Sequence, residues 1–340
     1  MGSIGVLTAG GDCPGLNAVI RAVVRRCEAD GRSVVGVRNG WEGLMADDVV
    51  PLGRDDVGGI IGRGGTILGT SRMDPYVHGD GYESVRTTIE THDIEALVVV
   101  GGDGTLRTAA RLDAEGLPVV GVPKTIDNDI GLTDVTFGFH TAVQIATDAI
   151  DRLRTTAESH HRVMLVEVMG RTTGWIAAYA GIAGGADAIL VPEVPWDPDG
   201  LCELLTARRD RGRSYSIVVV AEGIDSPVQD AAERPHDVFG FSRLGGVAYD
   251  LAPIVEEHTG IETRVVVLGH IQRGGTPTAF DRVLATRLGA AAAEVAMAGD
   301  RGVMVSLHRG EIGSVDLVEA CDTPRGLDPA TFATASLFFG

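Results

Sequence analysis

The sequence has few cysteines, little positive charge and no long apolar run, and each shortage closes a class of function. Its four cysteines, Cys13, Cys27, Cys202 and Cys321, stand far apart with no CxxC pair. That excludes a disulfide framework or a zinc ribbon and suits a reducing compartment. Every apolar stretch falls short of the roughly 18 residues that mark a membrane helix, so no membrane segment is expected. The first residues lack a basic region followed by an apolar one, so no secretory signal is expected and a cytoplasmic location is. Twenty-nine Lys and Arg against 47 Asp and Glu leave a net charge of −18. Nucleic-acid binding, which needs a basic face, is therefore not expected. An anionic substrate would have to be gripped by local clusters of arginine against the overall field.

What is present is a chain of 340 residues, 44% hydrophobic and 22% charged, long enough for two α/β domains with full cores. The 47 glycines follow no collagen period and form no low-complexity tract. They cluster instead after short apolar runs at Ile4–Thr8, Leu97–Val100, Val119–Val122, Val163–Val168, Ile189–Val191, Ile217–Val220 and Val265–Leu268. Continuous runs of this kind read as strands of a parallel sheet, buried on both faces. Polar loops follow them: GGDCPG, GGDGT, PKTIDND, MGR, PE, AEG and GHIQRGG. In doubly wound sheets ligands bind beyond the C-terminal strand ends, so this one-sided placement predicts a binding cleft.

After the first run, Leu16, Val19, Ile20, Val23, Val24 and Cys27 follow helical spacing and form a core stripe. Asn17, Arg21 and Arg25 fall on the other face, and the two arginines, one turn apart, read as a solvated pair. The alanine-rich stretch from Leu288 to Ala298 predicts a tightly packed helix. Residues 223–248 lack periodicity and read as a long loop or excursion.

In Val98–Thr105 a strand runs into GGDGT and then a helix. Glycines there let a backbone approach polyphosphate, and helix-start N–H groups favour anions. Asp103 would repel phosphate unless it held Mg²⁺, which makes it a candidate metal ligand; a tight turn capped by aspartate is the alternative. In Pro123–Asp129 two carboxylates, Asp127 and Asp129, sit beside Lys124 and Thr125. That set suits deprotonation of a hydroxyl, with turn and helix capping as the plainer reading. Trp175 and Tyr179, four apart, read as core.

Taken in order, TAGGDCPGLNAVIR at 8–21, GGDGT at 101–105, PKTIDND at 123–129, MGR at 169–171 and LGHIQRGG at 268–275 resemble the 6-phosphofructokinase family. The resemblance runs from residue 4 to about residue 310 and points to the mixed-substrate subgroup. It implies two doubly wound, mostly parallel-sheet α/β domains with the active site in the cleft between them. Residues 1–138 with 272–322 would bind nucleotide; 139–271 with 323–340 would bind sugar phosphate. It also implies transfer of a phosphoryl group from ATP–Mg²⁺ to the 1-hydroxyl of fructose 6-phosphate. Gly11, Arg72, Gly102, Asp103, Gly104 and Thr105 would surround the donor phosphates, with Asp103 on the Mg²⁺. Asp127 would be the general base, aided by Thr125, Arg171, Gly11 and Arg72. Thr125, Ile126, Asp127, Met169, Gly170, Arg171, Glu222, His270, Ile271, Gln272 and Arg273 would hold the sugar phosphate. Arg162 and Arg264 would reach it from a neighbouring subunit, which implies a homo-oligomer, a tetramer or a dimer.

Two positions bear on the donor. Pyrophosphate-using members of that family carry aspartate where this chain has Gly104 and lysine where it has Lys124; ATP-using members carry glycine at both. Glycine at 104 leaves space for a nucleotide α-phosphate, so ATP is the expected donor and pyrophosphate the alternative. Arg21, Arg25, Arg54, Arg154, Asp187, Arg211 and Arg213 fall where bacterial members bind an anionic effector. Asp187 stands for the usual glutamate and Arg213 for lysine. A sensor that binds sugar phosphate without catalysis is a rival of another class, against which the retained Asp103, Asp127 and Arg171 speak. A dehydrogenase would need GxGxxG after the first strand, where GGDCPG stands.

Overall fold

A computed structural model describes residues 2–228 and 244–340. The chain divides into two compact units, Met1–Thr141 with Arg273–Arg325, and Ala142–Gln272 with Gly326–Gly340.

Numbered along the chain, the first unit opens with β1 (Ser3–Thr8), α1 (Leu16–Ala29), β2 (Val34–Val37), α2 (Gly40–Met45) and β3 (Val49–Leu52). It continues with α3 (Gly81–Thr91), β4 (Ile94–Gly101), α4 (Asp103–Ala114), β5 (Val119–Thr125) and β6 (Phe137–Gly138). After Arg273 it adds α9 (Ala279–Ala298), β11 (Val303–His308), β12 (Glu311–Asp316) and α10 (Leu317–Asp322). One sheet runs β12-β11-β5-β4-β1-β2-β3, with β6 off this path beside β5. Its interior is parallel, and antiparallel pairs, β2 with β3 and β11 with β12, close its two ends. All six residues of β1 are buried, as an apolar run between two helical layers must be. Strand order reverses between β1 and β4, and the loops that follow these strands flank that switch point.

The α1 stripe is buried as the spacing predicts. Asn17, on the other face of the same helix, is 1% exposed. Helix α9 begins at Ala279, nine residues before the alanine-rich stretch that announces it. It lies so close to α1 that a Cβ on Gly289 would meet the Val19 carbonyl oxygen at 2.7 Å.

The second unit receives the chain inside α5 (Phe139–His160) and holds β7 (Val163–Val168), α6 (Trp175–Ala183), β8 (Ala188–Leu190) and α7 (Pro198–Asp210). Then come β9 (Ser216–Ala221), α8 (Val247–Thr259), β10 (Thr263–Val267) and, from the tail, α11 (Pro329–Ser336). Its sheet is parallel throughout, in the order β10-β7-β9-β8. β10 is an edge strand, buried at Thr263 and partly or fully exposed beyond it, not the doubly buried strand its valines suggest. Trp175 is core, but Tyr179 is 37% exposed. Of the expected excursion at 223–248, residues 229–243 lie outside the described residues. Among the described residues no helix is long and apolar enough to cross a membrane.

All four thiols are free and buried. Burial pushes Cys13 up to about 12 and Cys27 and Cys321 up to about 11. A thiol with a pKa near 11 is only about 0.1% thiolate at pH 8, and the thiolate is the reacting form. Ellman's reagent is therefore expected to find no fast thiol in the native protein and all four after unfolding in guanidinium. A fast-reacting native thiol would contradict the burial.

Candidate active site

In the first unit three loops leave the same end of neighbouring strands. β1 passes through Gly10-Gly11-Asp12 to α1, β4 through Gly102 to α4, and β5 through Ile126 and Asp127 to Asn128. The register Thr8↔Val100 and Gly101↔Pro123 sets these exits side by side. Glycine is required where they touch. A Cβ on Gly101 would strike the Thr105 side chain at 2.3 Å, and Gly10 has φ +81°.

The amine of Lys124 marks the meeting point. It is 3% exposed and donates to the Gly11 carbonyl. A Cβ built on Gly10 or Gly102 would come within 3.8 or 3.9 Å of its Nζ. Arg273 closes this cluster from the start of the returning chain. Its guanidinium lies so near Gly11 that a Cβ there would meet Nη1 at 1.9 Å. The buried Arg273 Nε has no hydrogen-bond partner among the described residues. Burial lowers the Lys124 pKa, against the pull of Cys13, while Arg273 lowers it and Asp127 raises it. Lys124 and Arg273 bring two cations to this point, with the carboxylates of Asp127 and Asp12 near enough to act on the lysine.

Asp127 is 4% exposed, and its backbone N–H donates to Thr125 Oγ1 at 3.0 Å. Asn128, at φ +56°, turns the chain, and its Oδ1 accepts from Thr136 N at 3.0 Å. Ile126 is buried. Helix α4 starts at Gly102 without a side-chain cap, so its first N–H groups are left for an anion. Asp103 opens that helix and pairs with Arg107 at 3.0 Å. Among the described residues no three His, Cys, Asp or Glu side chains gather as for a caged metal. Asp103, half-exposed at a helix start, instead fits Mg²⁺ carried in on phosphates. Gly104 is exposed, with nothing within 4 Å of a built Cβ. Arg72 is exposed and follows Ser71, whose carbonyl accepts from Gly10 N at 2.8 Å.

In the second unit Met169, Gly170 and Arg171 follow β7, Glu222 follows β9 and His270 lies in the turn after β10. These three strands are neighbours, so their ends converge. Arg171 is held at φ +51°, a conformation that costs a non-glycine residue energy. Glu222 Oε1 sustains it by accepting from Gly170 N at 3.3 Å and Arg171 N at 3.0 Å. Met169 is buried, His270 and Ile271 are exposed, and Gln272 is buried and donates to the Gly269 carbonyl at 3.1 Å.

Arg162 and Arg264 are not brought to this cluster. They stand at the opposite end of β7 and β10, both paired with Glu262, Arg162 at 2.6 Å. Six residues of strand, roughly 20 Å, separate them from Arg171 within one chain.

Sequence reasoning missed three carboxylates and amides with positioning roles. Glu193, in the PE pair after β8, accepts from Gly174 N at 3.0 Å, at the head of α6, and from Leu327 N at 2.9 Å, where the tail begins. Glu167, 1% exposed, accepts from Gly246 N at 2.7 Å and Ala248 N at 2.9 Å at the head of α8. Asn17 binds the 63–67 turn. Of these only the PE pair stands out in the sequence, by following a strand.

Of the effector candidates, Arg21, Arg25 and Arg54 belong to the first unit, and Arg54 pairs with Glu28 at 3.4 Å. Arg154, Asp187, Arg211 and Arg213 belong to the second. There Asp187 pairs with the buried Arg208 at 2.7 Å and accepts from Ile217 N at 2.8 Å. Burial raises its carboxyl pKa, with the Ile217 N–H and then Arg208, Arg154 and Arg213 opposing. Arg154 donates to the carbonyls of Gly184 and Gly185.

A family model described as phosphofructokinase matches residues 3–296. The chain belongs to the phosphofructokinase family. It is 52% identical over 335 residues to the ATP-dependent 6-phosphofructokinase 3 of Streptomyces coelicolor, covering 98% of each. It is 53% identical over 341 residues to a pyrophosphate–fructose 6-phosphate 1-phosphotransferase of Amycolatopsis methanolica, covering 99% of each. Among solved structures, phosphofructokinase from Pichia pastoris in the T-state matches at TM-score 0.84 and 33% identity. That match takes in 99% of this chain and 38% of the yeast one, so the chain spans well under half of that relative. Both donors therefore appear among the names of phosphofructokinases similar to this one.

Proposed function

We propose that this phosphofructokinase phosphorylates the 1-hydroxyl of fructose 6-phosphate, with ATP–Mg²⁺ as donor, in the cytoplasm. The observation that carries the reading is the convergence of the β1, β4 and β5 loops on the Lys124 amine, with Asp127 beside it. The donor phosphates would lie along Gly11, Arg72 and Gly102–Thr105. Asp103 would hold Mg²⁺, which supplies neutralisation of phosphate charge. Asp127 would take the proton of the attacking hydroxyl, and Arg171 would offset charge on the phosphoryl group in flight. Thr125, Met169, Gly170, Glu222, His270 and Arg273 would orient the sugar phosphate. Arg162 and Arg264, remote from Arg171 in their own chain, would serve a neighbouring copy of a homo-oligomer.

ATP is favoured over pyrophosphate because Gly104 leaves open space at the start of α4. Lys124 provides charge for either donor. An aldolase-coupled assay run in parallel with ATP–Mg²⁺ and pyrophosphate–Mg²⁺ tests both levels. A kcat/KM about tenfold or more higher with ATP is expected, a difference of about 1.4 kcal/mol. Turnover with pyrophosphate alone would reverse the donor, and turnover with neither would remove the activity.

A further inference from the structure

We infer that Asn17 is a positioning residue of the donor-phosphate cradle. The inference rests on the phosphofructokinase reading above and names a residue that reading does not use. Asn17 lies in the first turn of α1, directly behind the Gly10–Gly15 loop, and is 1% exposed. Its side chain does not serve its own helix. Nδ2 donates to the Arg63 carbonyl at 3.0 Å and the Gly64 carbonyl at 3.3 Å, while Oδ1 accepts from Ile67 N at 2.8 Å. Two carbonyls and one N–H fix which way the amide points, since the flipped amide would lose all three bonds.

The segment so held reaches the cradle by two routes. Along the chain, Thr66 Oγ1 pairs with Thr8 Oγ1 at 2.9 Å and Thr70 Oγ1 donates to the Gly10 carbonyl at 2.7 Å. Gly10 N then donates to Ser71 O at 2.8 Å, one residue before Arg72. Across space, Gly64 leans on the returning chain: a Cβ there would meet the Gly275 carbonyl oxygen at 2.3 Å. Gly275 lies two residues after Arg273, whose guanidinium rests on Gly11. One amide therefore ties the placement of Arg72 and of Arg273 to the glycine loop between them. Long arginine side chains carry high rotational freedom, so a fixed backbone at both roots is what aims them.

The test compares wild type with Asn17→Ala and Asn17→Asp, the second keeping shape and the acceptor but losing both donors. Melting curves first define a temperature at which each is folded. Should Asn17→Ala not fold, Asn17→Asp carries the same readings. The expected result is a KM for the phosphoryl donor raised about tenfold, with the KM for fructose 6-phosphate within about twofold of wild type. Calorimetry with ADP–Mg²⁺ and with inorganic pyrophosphate should show the same loss without turnover. Unchanged donor KM and donor binding in a folded variant would overturn the inference, leaving Asn17 a structural anchor. So would an equal rise in both KM values, which signals general loosening. A wild type that turns over neither donor would overturn the activity and this inference with it; an active wild type matched by its variants sinks the inference alone.

Discussion

Gly104→Asp is expected to cut kcat/KM for ATP by about two to three orders of magnitude while leaving pyrophosphate use within a few-fold, whichever donor wild type prefers. The position is suited to a clean experiment. Gly104 is exposed, its backbone lies outside the left-handed region, and a built Cβ touches nothing within 4 Å. An aspartate there should neither strain the chain nor displace a neighbour, so the melting temperature should hold. What changes is the field at the start of α4, where an uncapped helix end otherwise favours anions. Two like charges about 4 Å apart repel by roughly 4 kcal/mol at an effective dielectric of about 20. About 1.4 kcal/mol per tenfold makes that nearly a thousandfold, with solvent and Mg²⁺ reducing it. Pyrophosphate has no third phosphate to meet the new carboxylate. An ATP rate equal to wild type would mean that residue 104 does not face the donor.

How much of this was legible beforehand depends on how local the signal is. β1, β4, β5, β7 and β9 could be read because each holds a short apolar run followed by glycine or a polar loop. β2, β3, β11 and β12 could not. β2, β3 and β12 are short or half-exposed, and Gly36, Pro51 and Gly313 interrupt their pattern, whereas β11 is buried but carries Ser306 inside its run. The front of α9 hid for a related reason: Phe280 and Val283 are 46% and 60% exposed, so its apolar residues do not mark a buried stripe. The glycine loops announced themselves, but their supports did not. The burial of Asn17 was not legible because helical spacing reports only which face is apolar. Its partner Ile67 lies 50 residues away. Arg208 illustrates the same limit. It sits among charged residues on α7, yet it is 7% exposed and pairs with Asp187. Pairings that close over long sequence separations leave no period to detect.

The second large effect concerns residue 127. Asp127→Asn is expected to lower kcat by about 10²–10⁴, the usual contribution of a positioned general base. The KM for fructose 6-phosphate should stay within a few-fold, because the amide keeps the shape and one acceptor oxygen. The fold should survive, since the backbone of residue 127 is held by Thr125 Oγ1 at 3.0 Å and not only by its side chain. The split between kcat and KM separates a base from a group that merely binds. Lys124 adds a pH dependence on the alkaline side. Burial lowers its pKa, so its positive charge disappears at a lower pH than a free lysine's, and the donor KM should rise there in both proteins. A variant with kcat intact and only a raised sugar KM would make Asp127 a binding group, and the base would have to be sought elsewhere.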